Sequence, residues 1–192
     1  MIKVKPQPLQ SLRVADENGE KHASPLFWAG AALLMVVAFL FMFFTYNSEK
    51  KPLPSEYSAN DIHGGQPVSL SDYHGSAIVL MSWATWCMDC EDELAALERL
   101  WVSEQAQGLV VIAVNLDAVE ANERIEEMVE QYDLTYPIWR DPQNVFFSTF
   151  NAPGIPTTVL LDKQGTVVRA WVGPVDFEAR DVREDIEAVL AD

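Results

Sequence analysis

Residues 83–93 read WATWCMDCEDE and contain both cysteines of the chain, Cys87 and Cys90, at C-x-x-C spacing. The run before them, residues 76–82, consists of apolar and β-favouring side chains typical of a buried strand. After them, leucines recur at helical spacing among acidic residues, which predicts a helix that begins at the motif. A C-x-x-C pair between a strand and a helix is typical of a redox-active dithiol.

The order of the two cysteines predicts their roles. The start of a helix offers unpaired backbone N–H groups and the positive end of the macrodipole, both of which favour a thiolate. We therefore predict Cys87 as the nucleophile and Cys90, one helical turn on, as the resolving thiol. Two structural alternatives are weaker: half of a zinc site lacks its second ligand pair, and a C-x-x-C bridge closes too short a loop to stabilise much.

A second motif lies downstream, where residues 154–165 read GIPTTVLLDKQG. Together with the W-A-T-W-C…C-x-x-E pattern of residues 83–93, it resembles the membrane-anchored thioredoxin-like proteins of the TlpA/ResA/DsbE (CcmG) group over roughly residues 56–190. The resemblance implies an α/β, thioredoxin-like fold with a central mixed sheet flanked by helices. It also implies an N-terminal β-hairpin, an inserted strand–helix pair and one preceding transmembrane helix.

The resemblance implies roles for residues around the dithiol. The proline matching Pro156 is cis in this group and faces the dithiol, so that the backbone of Ile155 can pair with a substrate chain; the alternative is a trans proline that starts a strand. Glu93 matches a glutamate that manages protons near the disulfide, although a first-turn acid favoured by the macrodipole is the simpler alternative. We place Trp86 on the substrate-facing rim and Trp83 in the core.

No cofactor is expected beyond the redox-active disulfide Cys87–Cys90 that the resemblance implies. We also expect no metal site, because His63 and His74 lie in turn-like sequence without ligand spacing. The remaining pattern predicts hairpin strands at 57–62 and 67–70, a strand at 109–115, a helix at 118–132, the inserted pair from 137 to about 150, a hairpin of 157–161 with 167–172, and a helix at 178–190.

Residues 26–44 form an uncharged apolar run of 19 residues, long enough to cross the core of a bilayer. We predict a cytoplasmic tail, a transmembrane anchor with membrane contact through residues 26–46, a linker and a thioredoxin-like domain, at 1–24, 25–46, 47–55 and 56–192. Four basic residues flank the run on its N-terminal side, against only Lys50 and Lys51 in the linker that follows it, which favours a single-pass inner-membrane protein with its domain outside the cytoplasm. A cleaved signal peptide is disfavoured by the length of the run and by the lack of a small-x-small site.

The chain is strongly acidic, with a formal net charge of −16 at pH 7. This charge disfavours nucleic acid as a partner and favours a basic docking face. Acids also crowd the motif and should raise the pKa of the Cys87 thiol, which implies a more negative reduction potential and a reductant. They are Asp89, Glu91, Asp92 and Glu93, the first of which stands where this group commonly has proline.

The leading hypothesis is a membrane-tethered thiol–disulfide oxidoreductase that reduces protein disulfides outside the cytoplasm. By resemblance, its substrates would be apocytochrome c or copper-site cysteines, and a transmembrane protein of the CcdA/DsbD type would donate the electrons. A Cu(I)-binding metallochaperone module is the alternative, which C-x-x-C spacing supports weakly. A thiol peroxidase of the AhpC/TSA group is least favoured, because Ala84 stands where such proteins usually have threonine.

Overall fold

The computed structural model describes residues 34–39 and 54–192. The chain divides into two compact units, Met1–Lys50 and Lys51–Asp192. Of the first unit, only a helical segment with exposed side chains, residues 34–39, is described. The predicted tail, most of the predicted anchor and most of the predicted linker therefore lie outside the described residues. Among the helices that are described, none has the length and apolar character needed to cross a membrane.

Within residues 54–192, the second unit forms one mixed sheet with helices on both faces. Its strands are β1 (Ser58–Asp61), β2 (Pro67–Ser69), β3 (Ala77–Trp83), β4 (Leu109–Asn115), β5 (Ile138–Arg140), β6 (Thr157–Leu161) and β7 (Val167–Val172). Its helices are α1 (Met88–Glu104), α2 (Asn122–Gln131), α3 (Val145–Phe150) and α4 (Arg180–Ala191). The strand order is β2-β1-β5-β4-β3-β6-β7, with β3 parallel to β4 and antiparallel to β6. The predicted α/β fold is confirmed in its central mixed sheet, flanking helices, N-terminal hairpin and inserted strand–helix pair.

The centre of the sheet is apolar on both faces, because helices and aromatic side chains cover it on either side. All seven residues of β3 are buried, which explains why its sequence is a continuous apolar run without alternation. One core cluster joins this sheet to α1, α2 and α4, through residues such as Leu97, Met128 and Ile186. The second cluster, on the other face, contains Trp139 and Phe146.

The N-terminal hairpin and the inserted strand–helix pair meet at one end of the sheet. Strand β1 pairs with β2 on one side and with the inserted strand β5 on the other. The ring of Tyr57, which precedes β1, stacks on Trp139 of β5 with centroids 6.4 Å apart and meets Phe150 of α3 edge-on at 5.3 Å. The hairpin therefore joins the sheet through the insertion.

Several element boundaries differ from the predicted ones because of local turns. Strand β2 ends at Ser69, since Ser69 and Asp72 form a capping box that begins a 3-10 turn at Leu70. Helix α4 begins at Arg180, because the carboxylate of Asp176 accepts a hydrogen bond from the Glu178 N–H and holds these residues in a turn. Residues 119–121 form a 3-10 turn before α2.

Strand directions bring three loops together at one edge of the sheet. The carboxyl ends of the parallel strands β3 and β4 lie side by side, since Trp83 pairs with Asn115. The antiparallel strand β6 begins at the same edge, where Thr157 pairs with Ser82. The C-x-x-C loop, the loop after β4 and the Ile155–Pro156 bond are therefore neighbours.

Candidate active site

Cys87 and Cys90 form a disulfide at the start of α1, with their Cα atoms 5.3 Å apart. Cys87 is the N-cap residue of the helix and has an extended backbone, while Cys90 lies in the first turn and donates its N–H to the Cys87 carbonyl at 3.1 Å. Cys87 is 8% exposed and Cys90 is fully buried. The first cysteine is thus the more accessible one, as the predicted nucleophile must be.

Two exposed apolar side chains flank the accessible cysteine. Trp86 is 72% exposed and Met88 is 84% exposed, although both are large enough to favour burial. Trp83, at the end of β3, is fully buried in the core, as predicted. The tryptophan next to Cys87 is therefore available for contact with a partner.

The Ile155–Pro156 bond is cis, as the resemblance implied. Its position at the sheet edge is fixed by Ser82, whose Oγ donates to the Thr157 carbonyl at 3.2 Å and accepts the Thr157 N–H at 3.1 Å. The Pro156 carbonyl accepts a hydrogen bond from the Gly173 N–H at 2.9 Å. Ile155 is partly exposed and packs against the core cluster that contains both cysteines. The structure therefore brings Ile155 and Pro156 to the edge of the sheet that carries the disulfide.

Glu93 lies one helical turn past Cys90 and is 3% exposed. Its Oε1 accepts a hydrogen bond from the Thr158 hydroxyl at 2.8 Å, whereas Oε2 is buried and makes no hydrogen bond of standard geometry to the described residues. Burial raises the pKa of Glu93 to about 7, and the Thr158 hydroxyl and the Val175 backbone offset only part of this rise. Near neutral pH the carboxyl group can thus accept or donate a proton close to the resolving cysteine.

The other acids around the motif have different environments. Glu91 accepts a hydrogen bond from the Tyr132 hydroxyl at 2.7 Å, which directs its carboxylate toward the segment after α2. Asp89 and Asp92 are exposed. With Glu93, they line a surface cavity of about 320 Å³ beside α1. Arg99 lines the same cavity, so this surface carries more acidic than basic side chains.

Sequence reasoning missed three polar residues that support the site. Thr158, on β6, holds Glu93 as described above. Asp117 is 6% exposed, and its Oδ2 accepts hydrogen bonds from the Thr85 N–H and from the side-chain amide of Asn115, both at 2.8 Å. The signal that could have indicated Asn115 and Asp117 is a pair of polar residues at the carboxyl end of a buried strand, one as its last residue and one two residues later.

His63 and His74 lie in exposed turns, as predicted. Within residues 34–39 and 54–192, no cluster of three or more histidine, cysteine or acidic side chains is placed to bind a metal ion.

Comparison with known proteins gives a consistent result. Residues 51–170 match the AhpC/TSA family. The thiol-disulfide oxidoreductase ResA of Geobacillus thermodenitrificans is 31% identical over 134 residues, which cover 70% of this chain and 74% of that protein. The thioredoxin-like protein YneN of Bacillus subtilis is 31% identical over 166 residues, or 83% of this chain and 96% of that protein.

Solved structures share the fold. A protein of Chlorobium tepidum described as a DsbE thiol:disulfide interchange protein is 26% identical, with a TM-score of 0.64 over 74% of this chain and 98% of that one. StoA of Bacillus subtilis, at 22% identity, has a TM-score of 0.56 over 70% of this chain and 98% of its own. Since the family match spans more than half of the chain and ResA proteins are relatives over most of their length, the chain belongs to the AhpC/TSA family and is one of its thioredoxin-like thiol–disulfide oxidoreductases.

Proposed function

We propose that this oxidoreductase is a membrane-tethered reductase of protein disulfides that works outside the cytoplasm. The direction of electron transfer rests on one observation, the acidic surface around a dithiol at the start of α1. The location is supported by the apolar run at residues 26–44 and the four basic residues on its N-terminal side, against only Lys50 and Lys51 in the linker that follows it. The resemblance to the TlpA/ResA/DsbE group suggests apocytochrome c or copper-site cysteines as substrates.

The reduced enzyme carries two thiols and gives two electrons to one substrate disulfide. The Cys87 thiolate attacks a substrate sulfur, so that a mixed disulfide forms and one substrate thiolate leaves. Cys90 then attacks the Cys87 sulfur, which releases the second substrate thiolate and leaves the enzyme oxidised. Glu93 accepts the proton of Cys90 during this step, because its pKa of about 7 suits a general base at neutral pH. A transmembrane dithiol protein of the CcdA/DsbD type would then re-reduce the Cys87–Cys90 disulfide.

The acids around α1 set the direction through the stability of the thiolate. The positive end of the helix favours negative charge at Cys87, and the exposed carboxylates of Asp89 and Asp92 oppose it. A less stable thiolate makes the reduced form less stable, and a difference of 1.4 kcal/mol corresponds to about 30 mV of reduction potential. The protein therefore favours the oxidised state and acts as a reductant.

The reduction potential of the Cys87–Cys90 pair, measured against glutathione, tests this direction. We expect a value nearer the about −270 mV of thioredoxin than the about −120 mV of the oxidant DsbA, and a value close to DsbA would reject the proposal. The double substitution Asp89→Asn and Asp92→Asn should raise the potential by roughly 30 mV. Glu123→Gln on the exposed side of α2 is the matched control and should leave it unchanged.

Substrates and location need separate experiments. A Cys90→Ala variant cannot resolve the mixed disulfide, so it should retain substrates on Cys87, and a Cys87→Ala variant should retain far fewer. Capture of c-type apocytochromes or copper-site proteins would support the substrate proposal, whereas capture of cytosolic proteins alone would contradict it. Fusion of alkaline phosphatase to the C-terminus tests location, because that reporter is active only outside the cytoplasm.

A further inference from the structure

The loop before the nucleophile is tied to the next strand by one carboxylate. Thr85 lies two residues before Cys87, and its N–H donates to Asp117 Oδ2 at 2.8 Å. The same oxygen accepts from Asn115 Nδ2 at 2.8 Å, and Asn115 Oδ1 accepts the Asp117 N–H at 3.1 Å. Asn115 is fully buried and Asp117 is 6% exposed. The carboxylate therefore has a fixed orientation that points one oxygen at the loop.

The inserted strand contacts the backbone at Asp117. Arg140 of β5 is 9% exposed, and its Nη2 donates to the carbonyls of Ala118 at 2.9 Å and of Asp117 at 3.4 Å. Its Nη1 contacts the side-chain oxygen of Asn122, at the start of α2. Burial lowers the pKa of the Arg140 guanidinium, and the negative charge of Asp117 opposes this. The inserted strand–helix pair is thus connected to the loop that precedes the dithiol.

The loop that Asp117 holds carries the reactive part of the molecule. The Leu116 N–H donates a hydrogen bond to the Trp83 carbonyl at 2.9 Å, which fixes the start of this loop. The next hydrogen bond along the loop is the one from the Thr85 N–H to Asp117. Beyond Thr85 come the exposed ring of Trp86 and the N-cap residue Cys87. In enzymes, small misplacements of a reacting atom cost large factors in rate. The position of the Thr85 N–H should therefore affect the rate of thiol exchange at Cys87.

We propose that Asp117 is a positioning residue for thiol–disulfide exchange, whose side-chain oxygen holds the Thr85 peptide and thereby sets where Trp86 and Cys87 meet a substrate disulfide. The inference rests on the thiol exchange described above and adds a residue that does not touch the substrate. One oxygen accepts both hydrogen bonds, so an amide oxygen at the same place would accept them too. The oxygen of a longer side chain would lie in a different place and would not.

Two variants of the full chain separate position from charge. Asp117→Asn keeps an oxygen at the same distance and removes the charge, while Asp117→Glu keeps the charge and moves the oxygen by one methylene group. The exchange of Cys87–Cys90 with a peptide disulfide is followed in both directions to obtain kcat and KM. The pKa of the Cys87 thiol is measured from thiolate absorbance, below the unfolding temperature of each variant. Glu123→Gln is the remote control.

We expect Asp117→Asn to stay within about twofold of the wild type, and Asp117→Glu to lose about tenfold in kcat/KM and to show a raised Cys87 pKa. Equal values for the two variants, or a defect in Asp117→Asn alone, would overturn the proposal. If Asp117→Glu does not fold, Asp117→Ser, whose side chain is too short to reach Thr85, takes its place. The reductase proposal fails through the equilibrium potential and this one through the ratio of rates, so the two failures are distinguishable.

Discussion

Glu93 is a buried acid one helical turn after the resolving cysteine, and the fold around it raises its pKa. Its spacing from Cys90 predicted a place on the same side of the helix, and the resemblance supplied a role in proton transfer. Burial in the fold raises its pKa to about 7, and the Thr158 hydroxyl offsets part of this rise. Thr158 lies 65 residues away in sequence and reaches Glu93 only through the pairing of β6 with β3. A helix pattern carries no information on this burial or this partner, so the pKa shift could not be predicted from it.

The stability of the oxidised protein should depend on the protonation of Glu93. The folded protein keeps a proton on Glu93 that the unfolded chain releases above pH 4.5, so the free energy of unfolding falls as pH rises from 4.5 to about 7. Glutamine does not titrate, so Glu93→Gln should gain stability relative to wild type across this range, by at most about 3 kcal/mol. Urea unfolding at both ends of the range measures the difference.

The variant Glu127→Gln, at an exposed position, serves as the control for that experiment. It retains Glu93, so its free energy of unfolding should change with pH in parallel with that of wild type. A constant difference between Glu93→Gln and wild type across the pH range would contradict the raised pKa.

The segment after α2, residues 132–136, forms hydrogen bonds with the helix that carries the dithiol. The hydroxyl of Tyr136 donates to the Leu94 carbonyl at 3.2 Å in a buried contact. Glu98 of α1 accepts bonds from the N–H and the hydroxyl of Thr135, at 2.7 and 2.6 Å. The Tyr132 hydroxyl adds a bond to Glu91 one turn after the N-cap. The segment after α2 thus contacts α1 along three of its turns.

Loss of the buried hydrogen bond from Tyr136 to Leu94 should lower the free energy of unfolding more than loss of the part-buried bond from Tyr132 to Glu91. Tyr136→Phe removes a donor from a buried site and should lower the free energy of unfolding by about 1 kcal/mol. Tyr132→Phe removes a bond nearer to solvent and should cost less. Urea unfolding of both variants measures the two costs. An equal or reversed order would show that the contact to Leu94 does not stabilise the helix.

The elements themselves were largely predictable, and their ends were less so. Buried strands such as β3 and β4 appear as unbroken apolar runs because the sheet is covered on both faces. The end of β2 was misplaced by one residue because the capping box of Ser69 and Asp72 decides it. The hydrogen bonds around Asp117 were not predicted, because they depend on the placement of β4 between β3 and β5 in the sheet.

The molecule as a whole is acidic, and this should affect its choice of partners. From Pro52 to Asp192 the chain has 25 acidic and 7 basic side chains, a net charge of −18. Such a charge attracts basic partners over a distance that falls from about 10 Å at 0.1 M salt to about 3 Å at 1 M. We therefore expect this long-range attraction to change the rate at which a partner associates with the protein and to leave the thiol chemistry itself unchanged.

Peptide disulfides of equal length but opposite charge provide the measurement. The peptide flanked by lysines should react faster than the one flanked by glutamates at low salt, and the two rates should converge as salt is raised. Equal rates at low salt would show that the charge of the molecule does not select partners.

Cys90 is fully buried, whereas Cys87 is 8% exposed. Once the pair is reduced, a peroxide or an alkylating reagent in the surrounding medium meets one sulfur and not the other. Irreversible damage is then confined to the outer atom, and the inner thiol remains able to capture an early sulfenic acid at Cys87 as a disulfide. We therefore expect oxidation of the reduced protein by peroxide to end mainly at the Cys87–Cys90 disulfide, which ordinary reduction reverses.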